Sequence, residues 1–342
     1  MAKVLLTGGS GFVASHILNV LLERGYSVTT TVRSAAKGDK ILQSYKVQDD
    51  KLSYVIIKDI AAEGAFDHAL QASPPFDYVI HTASPFPANF ADPVTDLLDP
   101  AIKGTTGILN AIKAYALSVK RVVITSSFAA MANGVSPPHI YDESSWNPVT
   151  WNEAVSDHSK SYRGSKTFAE KAAWEFVNHG DCLFDLVTLN PPLVYGPVIH
   201  HLENQGQSLA SLNTSNQRIR DFIQGKYRFE SLPPTGTFLW VDVRDLALAH
   251  VRALEVPEAG GKRFFATAGH CSNKRIVDAI RETRPDVSHL LPQNPVDDFP
   301  GDSCYGFDNS RSREILGIQF RSLEEGIGDT ADSLLELIAR SS

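Results

Sequence analysis

Sulfur is scarce in this chain, with three cysteines and two methionines in 342 residues. Cys182, Cys271 and Cys304 stand far apart, so they form neither a metal-ligand spacing nor a disulfide framework. No metal is expected; the thiols read as small buried hydrophobes in a chain suited to a reducing compartment. Long apolar runs are missing too. Nothing approaches the ~20 residues that a spanning helix needs, so no membrane partner is expected. Glycines at 8, 9 and 11 interrupt the opening strand too early for a signal-peptide core, and the expected location is cytoplasmic. Basic charge is the minority: 32 Lys and Arg face 39 Asp and Glu, a net charge of −7, with no basic run. That balance excludes nucleic acid as a partner. Repeats and low-complexity tracts are absent.

What is present is a hydrophobic content of 43%, enough for a substantial core in one large or two smaller domains. Strand and helix patterns alternate through the first half. Residues 4–7, 26–32, 52–57, 76–81, 121–125 and 184–189 read as apolar, β-branched strands. Residues 12–24, 100–117 and 162–178 have helical spacing. Continuous apolar strands separated by helices predict a parallel sheet covered on both faces. The fold class is therefore α/β, a doubly wound parallel sheet of Rossmann type with a smaller C-terminal substrate domain. Residues 1–189, with returning segments near 237–268, form the nucleotide-binding part. Residues 190–236 and 269–342, richer in proline, glycine and polar loops, form the rest; 322–339 reads as an amphipathic helix.

The first strand ends in Thr7-Gly8-Gly9-Ser10-Gly11-Phe12-Val13-Ala14. A glycine-rich strand-to-helix turn lets the backbone approach a pyrophosphate, and the helix N-terminus beyond it favours anions. Gly8 makes the turn, Gly11 allows the approach, and Ala14 permits tight helix-on-strand packing. The turn puts Thr7, Gly8, Ser10, Gly11, Phe12 and Val13 at the cofactor. The second strand selects the cofactor. NAD-binding chains usually carry an Asp or Glu at its end for the ribose hydroxyls. Here the strand runs Thr29-Thr30-Thr31-Val32-Arg33-Ser34, with Lys37 close by. Arg33 offers a planar fork suited to a 2′-phosphate, which predicts NADP(H). Asp59 and Ile60, after the third strand, are placed at the adenine.

Tyr162 and Lys166 stand four apart in a helical segment, so their Cβ atoms lie about 5–6 Å apart on one face. A neighbouring ammonium is expected to lower the tyrosine pKa, which suits proton transfer near neutral pH. A second Tyr-x-x-x-Lys, Tyr54 to Lys58, falls in a strand, where four residues span about 13 Å and no pair can form. Ser126 and Ser127 follow the fifth strand, at the sheet edge where such folds bind ligands. Either hydroxyl could donate to a substrate oxygen while Tyr162 delivers a proton; either could equally cap a turn.

The Thr7–Ala14 turn, Thr125-Ser126-Ser127, Tyr162-x-x-x-Lys166 and Phe238-Leu239-Trp240-Val241-Asp242-Val243-Arg244-Asp245 together resemble the extended short-chain dehydrogenases/reductases. His81-Thr82-Ala83-Ser84-Pro85-Phe86, Glu143-Ser144-Ser145-Trp146-Asn147-Pro148 and the stretch from Gly164 through Phe176 resemble the fungal NADPH-dependent ketoreductases of methylglyoxal reductase type, akin to dihydroflavonol 4-reductases. The resemblance implies Ser127, Tyr162 and Lys166 as the catalytic set, with Ser127 preferred over Ser126. It implies cofactor contacts at Thr82, Ala83, Tyr162, Lys166, Pro191, Val194 and Ser215. It implies a substrate pocket at Phe86, Ser127, Phe128 and Tyr195. Asn133 is offset by a residue from the asparagine of the flavonoid reductases. The expected activity is NADPH-dependent reduction of ketones or aldehydes, in a monomer or homodimer whose partner is a small carbonyl compound. The alternatives are a sugar-nucleotide epimerase or dehydratase, and an NADP(H)-binding sensor without turnover.

Overall fold

The computed structural model describes residues 2–45, 51–72, 75–84, 90–179, 181–199 and 212–341. The strands are β1 (Lys3–Thr7), β2 (Ser27–Val32), β3 (Leu52–Ile56), β4 (Tyr78–His81), β5 (Arg121–Thr125), β6 (Ile140–Tyr141), β7 (Asp185–Leu189), β8 (Leu193–Tyr195), β9 (Leu239–Asp242), β10 (Lys262–Phe264), β11 (Gly269–His270) and β12 (Gly306–Phe307). The helices that matter below are α1 (Phe12–Glu23), α2 (Ala35–Ser44), α3 (Asp67–Ala72), α4 (Asp99–Tyr115), α5 (Trp151–Ser156) and α6 (His158–His179).

Seven strands form one sheet in the order β10-β7-β5-β4-β1-β2-β3, and every pairing in it is parallel. The chain winds outward from β1 through β2 to β3, then restarts at β4 and winds the other way. The reversal opens a crevice beyond the carboxyl ends of β1 and β4, where such sheets bind ligands. Val122, Val123 and Leu186 are almost completely buried, as strands covered on both faces require. One face packs Ala14, Ile17 and Leu21 of α1 with Leu246, Ala249 and Val251 of the helix Val243–Glu255. The other packs Leu70 of α3, Ile108 and Ile112 of α4, and Ala173 of α6.

The doubly wound parallel sheet expected from the alternating pattern is present. The returning part differs in detail. Residues 262–264 and the helix Val243–Glu255 rejoin the large sheet, but β9 pairs with β8 and β11 in a separate three-stranded sheet. Tyr195, Phe222, Trp240, Ile276, Ile327 and Leu334 make a core of their own beside it. Among the described residues no helix is long and apolar enough to cross a membrane, and no cluster of His, Cys, Asp and Glu could hold a metal ion.

Candidate active site

The glycine turn is built by backbone geometry. Gly8 has φ 72°, a left-handed conformation that glycine adopts without strain. Its N–H donates to Thr31 Oγ1 at 3.1 Å, and the Gly9 N–H donates to the Thr31 carbonyl at 3.1 Å. A Cβ on Gly9 would lie 2.0 Å from Thr30 Oγ1, so the turn is pressed onto β2. Gly11 caps α1 with no side-chain hydrogen bond, which leaves the first-turn amides of that helix open to an anion. These residues floor a cleft of about 470 Å³, a size typical of ligand sites.

Gly8, Ser10, Gly11, Phe12, Arg33, Lys37, Ile60, Thr82 and Ala83 line that cleft. Arg33 is exposed at the end of β2, and neither it nor Lys37 has an acceptor partner among the described residues. Other expected cofactor contacts stand elsewhere. Thr7 is fully buried, and its Oγ1 accepts from the N–H groups of Thr82 at 3.1 Å and Ala83 at 3.0 Å. It fixes the cleft wall and does not line the cleft. Val13 packs against the core under α1. Asp59 is exposed and accepts from the Ala61 N–H at 2.9 Å. Pro191 is buried, with its carbonyl taken by the Phe128 N–H at 2.8 Å. Val194 packs on the core beside α1, and Ser215 is the second residue of the helix Thr214–Ile223. The wall on that side is made by Val198, Leu212 and Asn213, which sequence reasoning missed. No local motif marks them, because the sequence around them has no periodic apolar signal.

Lys166 lies one turn after Tyr162 on α6 and borders a small cavity that shares Ala83 and Ser84 with the cleft wall. Ser127 and Tyr162 are joined by a side-chain hydrogen bond. Ser127 Oγ also accepts from the Ala129 N–H at 3.0 Å, capping the short turn Phe128–Ala130. Ser126 points the other way and donates to Glu170 Oε2 at 2.5 Å. Geometry thus separates two serines that spacing left equivalent.

The expected electrostatics need correcting. Burial pushes the Tyr162 pKa upward, and the Ser127 hydrogen bond pulls it back only in part; the ammonium of Lys166 is not what moves it. Lys166 itself is pushed down to about 8 by burial, with Glu170 opposing. Desolvation is the largest influence on each of the two groups. His81, behind Lys166, is held down at about 3 by burial and by that ammonium.

The expected substrate pocket is mostly not a pocket. Phe128 is 5% exposed and stacks on Phe265 with ring centroids 5.3 Å apart. Tyr195 is fully buried in the core beside the small sheet, and burial pushes its pKa up. Both are core residues. Phe86 lies outside the described residues. Asn133 accepts with Oδ1 from the N–H groups of Val135 and Ser136, at 3.1 and 3.0 Å, and so closes its own turn. Tyr54 behaves as its strand context predicts: its ring covers Gly38 and its hydroxyl donates to Asp39 at 2.7 Å.

A ketoreductase of Aspergillus niger, azaE, is 52% identical over 335 residues, which cover 98% of this chain and 98% of that one. The NADPH-dependent methylglyoxal reductase GRE2 of Saccharomyces cerevisiae is 36% identical over 347 residues, 99% of each chain. The crystal structure of Gre2 from Candida albicans in complex with NADPH superposes with a TM-score of 0.91 at 35% identity, over 98% of this chain and 99% of that one. The NAD dependent epimerase/dehydratase family matches residues 4–266, and with relatives this similar along their whole length the chain belongs to that family.

Proposed function

We propose that this protein is an NADPH-dependent reductase of ketones or aldehydes in which Ser127, Tyr162 and Lys166 carry the chemistry. The observation that supports this most is the Ser127–Tyr162 hydrogen bond in a chain that also holds a cleft suited to a dinucleotide. Three features of the chain fit NADP(H). The α1 amides are open to a pyrophosphate. Gly9 has no room for a Cβ where the turn meets β2. Arg33, just past β2, and Lys37, in the first turn of α2, have no acceptor partner among the described residues and suit a 2′-phosphate. The relatives' reductase names and the NADPH in the neighbouring crystal structure point the same way.

When bound, the dihydronicotinamide supplies the hydride. Ser127 donates a hydrogen bond to the carbonyl oxygen and orients it. Tyr162 gives its phenolic proton to that oxygen as the alcohol forms. Its raised pKa means it waits protonated at neutral pH, as a general acid must. Lys166 opposes the negative charge that develops on the phenol oxygen. The part built around the small sheet covers the substrate, a small carbonyl compound.

The test is NADPH consumption with a panel of aromatic and aliphatic ketones and aldehydes. Oxidation of NADPH with matching alcohol formation is the expected outcome. Tight NADPH binding without turnover on any carbonyl would favour a sensor, and interconversion of a sugar nucleotide without net NADPH loss would favour an epimerase.

A further inference from the structure

Helix α6 carries Tyr162, Lys166, Glu170 and Trp174 at four-residue intervals, one continuous face. The first two belong to the proposed chemistry. Glu170 has so far no role. Its side chain is 1% exposed. Its Oε2 accepts from Ser126 Oγ at 2.5 Å and Asn190 Nδ2 at 2.7 Å. Its Oε1 accepts from Arg263 Nε at 2.7 Å, Thr188 Oγ1 at 3.0 Å and Trp174 Nε1 at 3.3 Å. Those donors come from the ends of β5 and β7, from β10, and from α6 itself. Arg263 is fixed in turn: Nη1 donates to the carbonyls of Glu143 at 2.7 Å and Ser145 at 2.8 Å, and its guanidinium lies 3.8 Å from the Trp146 ring centre.

An apolar side chain of similar volume often holds helix to sheet at least as well as a buried ion pair, because desolvating two charges is costly. A pin alone therefore does not account for a carboxylate here. What lies beside it does. Lys166, one turn earlier on the same face, opens with Glu170 onto a small cavity of about 20 Å³ lined also by His81, Thr125 and Ser126. The titratable groups around Lys166 are Tyr162 and Glu170 on its own helix and His81 from β4. His81 stays neutral, buried and held at about 3. Glu170 is thus the negative charge in that set, and it opposes the burial that drives Lys166 toward its neutral form.

We propose, building on the reductase reading above, that Glu170 is a positioning residue: it engages Ser126 so that Ser127 alone faces Tyr162, locks α6 across three strand ends, and supplies the charge that keeps Lys166 an ammonium. It acts through Lys166 and the serine pair and touches no reacting atom.

Glu170→Gln keeps the shape and removes the charge; Glu170→Asp keeps the charge. The readouts are the pH profile of turnover and, with no carbonyl present, the pH profile of NADPH affinity by fluorescence titration. In the Gln variant the alkaline limb of both should move about one pH unit toward acid, giving about a tenfold deficit near pH 9 and little deficit near pH 6.5. The Asp variant should keep its limb where the parent has it. Limbs that stay put in the Gln variant, or move equally in both, overturn the proposal. Should Glu170→Gln fail to fold, Ser126→Ala remains: a turnover loss within about threefold is expected, whereas a loss equal to that of Ser127→Ala would show Ser126 serving the reaction and overturn the assignment. If Tyr162→Phe leaves turnover intact, the reductase reading fails instead, and the Glu170 arms stand as a separate result on cofactor binding.

Discussion

Tyr162 is the residue on which the proposed chemistry depends most directly. Tyr162→Phe keeps the ring and its packing and removes the proton donor beside Ser127. Turnover is expected to fall about 10²–10⁴-fold, the usual worth of general acid catalysis, with NADPH affinity little changed. Steady-state kinetics with a fluorescence binding titration check both, and Tyr54→Phe is the inert control. Lys166 carries a sign that can be tested by pH. Its ammonium form, which the proposed mechanism sets against the phenol, is present below about 8 and lost above it. Turnover should therefore decline as pH rises through that value, and Lys166→Met should remove both this limb and most of the cofactor affinity. An unaltered profile in the Met variant would leave Lys166 a bystander. Arg33→Ala should weaken NADPH binding by about 1.5–3 kcal/mol, the scale of a charged hydrogen bond, and barely touch NADH. Equal losses for both cofactors would make Arg33 a support of the β2 loop.

At the scale of an element, helix α6 sets the distance between Tyr162 and Lys166, the groups proposed to react, and the sheet. Gly164 lies between Tyr162 and Lys166, and a Cβ there would come 2.4 Å from Ala154 Cβ and 3.3 Å from Leu98 Cδ2. The helix is seated against α5 and the entry to α4 more closely than any side chain allows. Gly164→Ala gains about 1 kcal/mol of helix propensity but overpacks a close contact at about 1–3 kcal/mol. The clash should win. Thermal unfolding should show a lowered Tm, and turnover should fall as α6 lifts from the Ser127 side. A raised Tm would mean the propensity term dominates and the seat is loose. The neighbouring helix α5 needs no such contact to start, since Thr150 and Glu153 form a reciprocal capping box.

For the whole molecule, three histidines buried in the neutral form tie stability to pH. His16, His81 and His250 are held by burial at about 4, 3 and 4. His250 shows why: its Nδ1–H donates to the Leu246 carbonyl at 2.8 Å, and Nε2 accepts from Thr125 Oγ1 at 2.7 Å, so both nitrogens are satisfied without a charge. The unfolded chain takes up protons on these rings near 6.5 and the folded one does not. Their contribution to stability is full above that value and is lost as pH falls toward about 4, at up to about 1.4 kcal/mol per pH unit for each ring. Asp245, pushed up to about 6 by burial, works the other way by one proton. The net expectation is a steep loss of stability between about pH 6.5 and 4. Urea unfolding at several pH values in that range tests it, and a flat dependence would contradict the burial of these rings.

The sequence by itself determined whatever rests on short-range geometry. A glycine turn between a strand and a helix, the absence of an acid after Val32, and the four-residue step from Tyr162 to Lys166 are all local, and the alternation of apolar strands with helices was enough for a doubly wound parallel sheet. Tertiary structure decided what depends on distant partners. Ser126 and Ser127 are adjacent, so only the position of Glu170 on one side and Tyr162 on the other separates them. Phe128 and Tyr195 became core because the rings that enclose them arrive from far along the chain, Phe265 for one and Trp240 for the other. Val198, Leu212 and Asn213 reached the cleft wall through a segment with no periodic signal. The direction of the Tyr162 shift inverted for the same reason. Spacing reveals which charges are near, but how much water is left around them is fixed only by burial in the folded chain.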